Sequence, residues 1–97
     1  MTKFIYKIYD EDCPVCQSME AIEREVYDRY GVEFPKLTVE HATQYEELFS
    51  YLDQNVAEDG ELPLPCYLRL VPNGRPVYHL CGEQTIESLL ALCEATR

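Results

Sequence analysis

Side chains alternate over residues 3–9, setting Phe4, Tyr6 and Ile8 against Ile5, Tyr9 and the two lysines, Lys3 and Lys7. The run is rich in β-formers, which predicts a strand apolar enough to be central in a sheet. The acidic triplet Asp10-Glu11-Asp12 ends it. From Cys13 to Tyr30 the period lengthens: Cys16, Met19, Ile22, Val26 and Tyr30 share one helical stripe, while Glu20, Glu23, Arg24 and Asp28 lie elsewhere. Pro14 suits the first turn, where its missing N–H costs nothing, and Gly31 supplies the stop. Residues 32–40 read as a second strand, with Pro35 placing it at an edge or delaying its start. Thr43 and Glu46 match a capping box, after which Tyr45, Leu48, Phe49, Leu52 and Val56 give the buried stripe of a second helix, broken at Asp59-Gly60. Residues 66–71 form a third strand, Pro72-Asn73-Gly74-Arg75 a hairpin turn, and Val77 to Cys81 the returning strand. Gly82 breaks that strand, Thr85 caps, and Ile86, Leu89, Leu90 and Cys93 line a last helix.

The predicted order is β-α-β-α-β-β-α. A strand–helix–strand start implies a parallel pair joined by a right-handed crossover. The Asn-Gly hairpin adds an antiparallel pair, so the fold class is α/β, a four-stranded mixed sheet flanked by helices. A chain of 97 residues has room for one core, and residues 1–97 are expected to form a single domain.

Charge and cysteine content narrow the chemistry. A net charge of −10 argues against a nucleic-acid partner, whose phosphates are bound by Lys and Arg. No apolar run approaches the roughly 18 residues of a membrane span, so no membrane partner is expected. The first residues, Met1-Thr2-Lys3-Phe4-Ile5-Tyr6-Lys7, lack the long apolar stretch and small-residue cleavage site of a signal peptide. A cytoplasmic location is the expectation. The five cysteines, Cys13, Cys16, Cys66, Cys81 and Cys93, are odd in number and cannot all pair within the chain. In a reducing compartment a close cysteine pair reads as catalytic or metal-binding rather than as a staple.

Cys13-Pro14-Val15-Cys16 stands where a strand ends and a helix begins. Two thiols three residues apart at a helix start can close into a small ring with little backbone change. The first faces free N–H groups and the positive end of the helix dipole, which stabilise its thiolate. A thiolate is the attacking species in disulfide exchange. The residues therefore suggest Cys13 as nucleophile and Cys16 as the resolving thiol. Asp10, Glu11 and Asp12 oppose a second anion beside them, so the Cys13 pKa is expected to fall less than the dipole alone dictates. The competing reading of a bare CxxC is half a zinc site or a buried pair. Zinc needs about four ligands, yet His41 and His79 stand alone and no second CxxC is present, so neither a metal site nor a cofactor is expected.

At this point the chain resembles the thioredoxin-like family over nearly its whole length. The resemblance rests on strand 3–9, the Cys13-Pro14-Val15-Cys16 motif, Leu64-Pro65 before the third strand, the Asn73-Gly74 hairpin, Gly82 and the Thr85-capped helix. It implies a minimal thioredoxin-like fold. It also implies a thiol–disulfide oxidoreductase that works as a monomer on disulfide-containing proteins and is recharged by a separate reductase. Pro65 matches the cis-proline that lies against the CxxC in that family and pairs with the substrate chain. Leu64, Pro14, Val15, Cys81 and Gly82 are then expected to border the substrate. The absent N-terminal strand and helix, and Pro14 directly after Cys13, are glutaredoxin-like features. The glutathione-binding Thr-Val-Pro and Gly-Gly-x-Asp-Asp patterns are missing.

Thioredoxins carry a buried Asp six residues before the first cysteine, and here that position is Lys7. The expectation for Lys7 is that its ammonium snorkels to solvent. The alternative is a buried cation that stabilises a thiolate or takes the proton of Cys16. Cys66 and Cys81 are expected in the core, with a second redox pair or a trapped mixed disulfide as the alternatives, and Cys93 is expected in the core. A binding module of the same fold, with the CxxC as a redox switch or metal half-site, is the alternative function.

Overall fold

The computed structural model describes residues 3–58, 61–70 and 76–94. The first strand run is split at Ile5 into β1 (Lys3–Phe4) and β2 (Tyr6–Tyr9), and the second is split into β3 (Val32–Glu33) and β4 (Lys36–Thr38). Both pairings are parallel, β1 with β3 and β2 with β4. The ladder continues across the breaks, since the Ile5 amide donates to the Glu33 carbonyl and the Lys7 amide to the Pro35 carbonyl, each at 2.9 Å. Pro35 brings no amide of its own, which is why the second run divides beside it.

The expected helix from Cys13 to Tyr30 is two helices, α1 (Pro14–Ser18) and α2 (Glu20–Tyr30), parted at Met19. The Ser18 hydroxyl donates back to the Val15 carbonyl at 2.9 Å, a bond that competes with the helical ladder and bends it. Gly31 closes α2 in the left-handed region at φ 72°, its amide donating to Tyr27 at 3.0 Å. Tyr30, expected on the buried stripe, is 46% exposed in that last turn.

The strand expected to run to residue 40 stops at Thr38. Thr38 caps a short helix, α3 (Val39–Ala42), its hydroxyl accepting from the His41 amide at 3.2 Å. The Thr43 capping box does not form. Thr43 ends α3 and its hydroxyl donates to the Glu40 carbonyl at 2.8 Å. The next helix, α4 (Glu46–Asn55), starts after Tyr45 without a side-chain cap, but Glu46 and Glu47 complement its dipole. Tyr45 and Phe49, expected to be buried, are 59% and 47% exposed.

The antiparallel part comprises β5 (Cys66–Leu70) and β6 (Pro76–Cys81), with an irregularity between Arg69 and Leu70. Asp59-Gly60 and the hairpin turn expected at Pro72-Asn73-Gly74-Arg75 lie outside the described residues. The last helix, α5 (Ile86–Glu94), is capped as expected. Thr85 Oγ1 accepts from the Ser88 amide at 3.1 Å, and Ser88 Oγ accepts from the Thr85 amide at 3.0 Å. Among the described residues, no helix is long and apolar enough to cross a membrane.

The four-stranded sheet has the order β4-β2-β5-β6, parallel in its first pair and antiparallel in the other two. Alternation sends Ile5 and Tyr67 to one face, where they pack with Met19, Val26, Leu89, Leu92 and Cys93 from α2, α5 and the bend before α2. Ile8, Cys66 and Leu68 go to the other face, against Ala42, Leu52 and Val56 of α3 and α4. This three-layer arrangement is the mixed α/β sheet the sequence predicts. It places the end of β2, the start of β5 and the end of β6 together at one end of the sheet.

Candidate active site

At that end β2 passes into an exposed acidic turn. Asp10 Oδ1 accepts from the Asp12 amide at 3.1 Å, and the Cys13 amide donates to the Asp10 carbonyl at 3.2 Å. Gln17 Nε2 ties the turn to α1 through the Glu11 carbonyl at 3.1 Å. Cys13 is the N-cap of α1, with extended backbone at φ −99° and ψ 105°, and Pro14 opens the helix. The Cys13 Sγ occupies the position of a capping oxygen and accepts from the Cys16 amide at 3.1 Å. Cys13 and Cys16 are joined by a disulfide, with their Cα atoms 5.2 Å apart. Cys13 is half-buried and Cys16 is 2% exposed. One sulfur is thus open to a partner and the other sheltered beneath it.

Lys7 does not reach solvent. It is 1% exposed, because β2 is a central strand and residue 7 faces α2 and α5 rather than an edge. Its Nζ donates to the Cys16 carbonyl at 2.7 Å and pairs with Glu23 Oε2 at 2.6 Å. Tyr67, opposite Lys7 in the β2–β5 register, donates its hydroxyl to the same Glu23 oxygen at 2.6 Å. Burial, then the Glu23 hydrogen bond and charge, push the Tyr67 hydroxyl well above the ordinary tyrosine range. A buried chain Tyr67–Glu23–Lys7 therefore ends on the backbone of Cys16.

Glu23 is the residue that the helical stripe overlooked. It is 5% exposed. Its signal lay in the spacing Cys16, Met19, Glu23, Val26, which is as good a helical face as the apolar one through Ile22. A carboxylate on that face and a lysine inside an apolar strand are each costly alone and complementary together.

The other expected site residues gather by topology. Ile8 pairs with Cys66 across β2 and β5, which carries Pro65 alongside Tyr9 where the loop to Cys13 departs. The Leu64–Pro65 bond is cis and Pro65 is buried. The Gly82 amide donates to the Pro65 carbonyl at 2.8 Å, so Cys81-Gly82 lie beside it. Leu64 packs against the α3–α4 core, and Pro14 and Val15 are exposed, Val15 to 38%. His41 is exposed, and His79 is bound to Tyr51, its Nδ1 2.9 Å from the tyrosine oxygen. Among the described residues, no cluster of three or more His, Cys, Asp or Glu side chains is placed to hold a metal ion.

This architecture defines a thioredoxin-like fold with a disulfide-bonded cysteine pair at the N-terminus of its first helix. Among solved structures the chain is similar to the first two thioredoxin domains of Saccharomyces cerevisiae Eps1p, with a TM-score of 0.60 and 17% sequence identity. The match covers 95% of this chain and 34% of that one, so the chain spans about a third of the two-domain structure. At that identity the likeness shows the fold alone. No family model and no curated protein matches the sequence.

Proposed function

We propose that this protein is a thiol–disulfide oxidoreductase that reduces disulfides in partner proteins through Cys13 and Cys16. The observation that carries the reading is the Cys13 sulfur in the N-cap position, with an N–H donor facing it and a sheltered second sulfur able to bond to it. In the reduced protein the Cys13 thiolate attacks one sulfur of the partner's disulfide. A Cys13–partner bond forms, the partner's S–S bond breaks, and the leaving thiolate takes a proton. The Cys16 thiol then loses its proton and attacks the Cys13 Sγ. The mixed disulfide breaks, and a fully reduced partner leaves with two electrons. A separate reductase then supplies two further electrons, with two protons, to reduce the Cys13–Cys16 disulfide.

Lys7 acts in this scheme as a positioning residue. Its ammonium, fixed on the Cys16 carbonyl, presents the positive end of the Lys7–Glu23 dipole to the backbone of the thiol that must ionise. Pro65, with Leu64, Gly82 and Cys81, forms the flank against which the substrate chain lies, and Pro14-Val15 supply an apolar contact on the other side. The exposed Asp10-Glu11-Asp12 turn favours substrates with basic residues near their disulfide. The test is dithiothreitol-driven reduction of insulin disulfides, with wild type beside Cys13→Ser. Acceleration by wild type and none by the variant is the expected result. No acceleration by either overturns the reading as a general reductase.

A further inference from the structure

Cys66 has no part in the proposed reaction, and Cys81, which flanks the substrate, exchanges no bond in it; both lie on the sheet face opposite Lys7. They are directly opposed in the β5–β6 register. The bond from the Gly82 amide to the Pro65 carbonyl shows that theirs is a non-hydrogen-bonded pair, the kind in which facing side chains approach most closely. Such pairs hold their Cα atoms about 4.5 Å apart, inside the window of roughly 4.4–6.8 Å that a disulfide spans. The two Sγ atoms are already 3.7 Å apart. Bond formation therefore needs side-chain rotation and no strand movement.

The two thiols are unequal. Cys66 is 0% exposed, packed in the α3–α4 core, whereas Cys81 is half-buried at the strand end. Cys81 is thus the approachable sulfur. The hydrogen bond between the two sulfurs lowers the Cys81 pKa from the ordinary thiol value, against the opposing effects of burial and the Glu58 carboxylate. The same bond, together with burial and the Cys81 charge, keeps Cys66 protonated. An accessible nucleophile with a sheltered partner is the division of labour also seen between Cys13 and Cys16.

We propose that Cys81 and Cys66 form a second redox couple, independent of Cys13–Cys16, that closes to a cross-strand disulfide on reaction with a small organic disulfide. The Cys81 thiolate attacks one sulfur of the external disulfide, forming a mixed disulfide and releasing one thiolate. Cys66 gives its proton to that thiolate and attacks the Cys81 Sγ, forming the Cys66–Cys81 bond and expelling the second thiolate. The protein pair loses two electrons and the external disulfide gains them. Both residues pack on the α3–α4 core, but core packing alone does not call for two thiols facing each other across a close pair.

The test separates this couple from the first. The Cys13→Ser/Cys16→Ser variant, which retains Cys66, Cys81 and Cys93, is reduced, equilibrated with oxidised glutathione over a range of ratios to glutathione, and alkylated. The expected result is a fall from three alkylatable thiols to one. Tryptic cleavage after Arg69 then yields residues 37–69 linked to the fragment carrying Cys81, and fragmentation assigns the bond to Cys81 rather than Cys93. The same linked peptides are expected from oxidised wild type, which guards against misfolding of the variant. Three thiols remaining at every ratio, or a glutathione adduct on Cys81 that Cys66 never displaces, overturns the proposal.

Discussion

Replacing Lys7 with Met removes the counter-charge from a carboxylate that is 5% exposed and strips the Cys16 carbonyl of its donor. At 2.6 Å and an effective dielectric constant near 20, the gross attraction between Lys7 and Glu23 is about 6 kcal/mol. Desolvation of the two ions costs several kcal/mol each, so the intact pair is worth little more than an apolar replacement. Breaking it from one side is another matter, because the orphaned charge keeps its desolvation penalty, and about 3–5 kcal/mol is expected. That is a large part of the roughly 5–15 kcal/mol that holds such a domain folded. The assay is urea unfolding of the oxidised protein for Lys7→Met, Glu23→Leu and the double variant. Each single change should lower stability by about 3–5 kcal/mol, and the double should recover much of the loss. Recovery stays incomplete because the Tyr67 hydroxyl loses its acceptor, a cost of about 1–3 kcal/mol that Tyr67→Phe removes. The double variant, folded but without its ammonium, should also resolve a Cys13 mixed disulfide about tenfold more slowly, the effect of about 1.4 kcal/mol on the barrier. Single variants within about 1 kcal/mol of wild type, or a double variant as unstable as the sum of the singles, refute the reasoning.

Three further outcomes follow from the same geometry. Below pH 10 both folded and unfolded chains hold the Tyr67 proton; above it the unfolded chain releases the proton first, because the folded-state pKa is raised. Stability should therefore fall with rising pH beyond that point by about 1.4 kcal/mol per unit, and urea midpoints for oxidised Tyr67→Phe should show a shallower decline. Replacing Asp10 and Asp12 by Asn removes two charges from the turn before Cys13, and the pH midpoint for iodoacetamide alkylation of Cys13 should move down; an unchanged midpoint would show that the turn does not govern the thiolate. Gly31→Ala places a Cβ at φ 72° with no clash within 4 Å, so backbone strain alone should cost about 1–2 kcal/mol in thermal or urea unfolding, and Gly31→Asn should cost less.

The strands and helices around the site were legible because they depend on local signals. The Thr85 cap, Gly31 and the alternation of residues 3–9 each act within a few residues. Cys13 and Cys16 were legible for the same reason, since strand end, proline and helix start are contiguous. The breaks were harder to read. Met19 interrupts the helix through a Ser18 back-bond, and Val39 reads as strand by composition yet follows a threonine that caps a turn of helix. Thr43 read as a cap, yet the cap that forms is at Thr38, where the chain leaves β4. The buried fate of Lys7 could not follow from its own strand, where one lysine in an apolar run reads as a surface residue. It depends on Glu23, 16 positions later in sequence, and on Tyr67 in β5, which only the tertiary fold assembles around it. The cross-strand pairing of Cys66 with Cys81 likewise depends on hairpin register, which residue spacing alone left open.

The central claim is that Cys13 attacks and Cys16 resolves, and trapping tests it most directly. Cys16→Ser is reduced, mixed with a disulfide-bonded protein such as insulin and analysed by mass spectrometry without reductant. The account predicts a stable covalent adduct at Cys13 that forms readily in this variant, is absent with Cys13→Ser, and turns over without accumulating in wild type. An adduct at another cysteine, or none at Cys13, contradicts it.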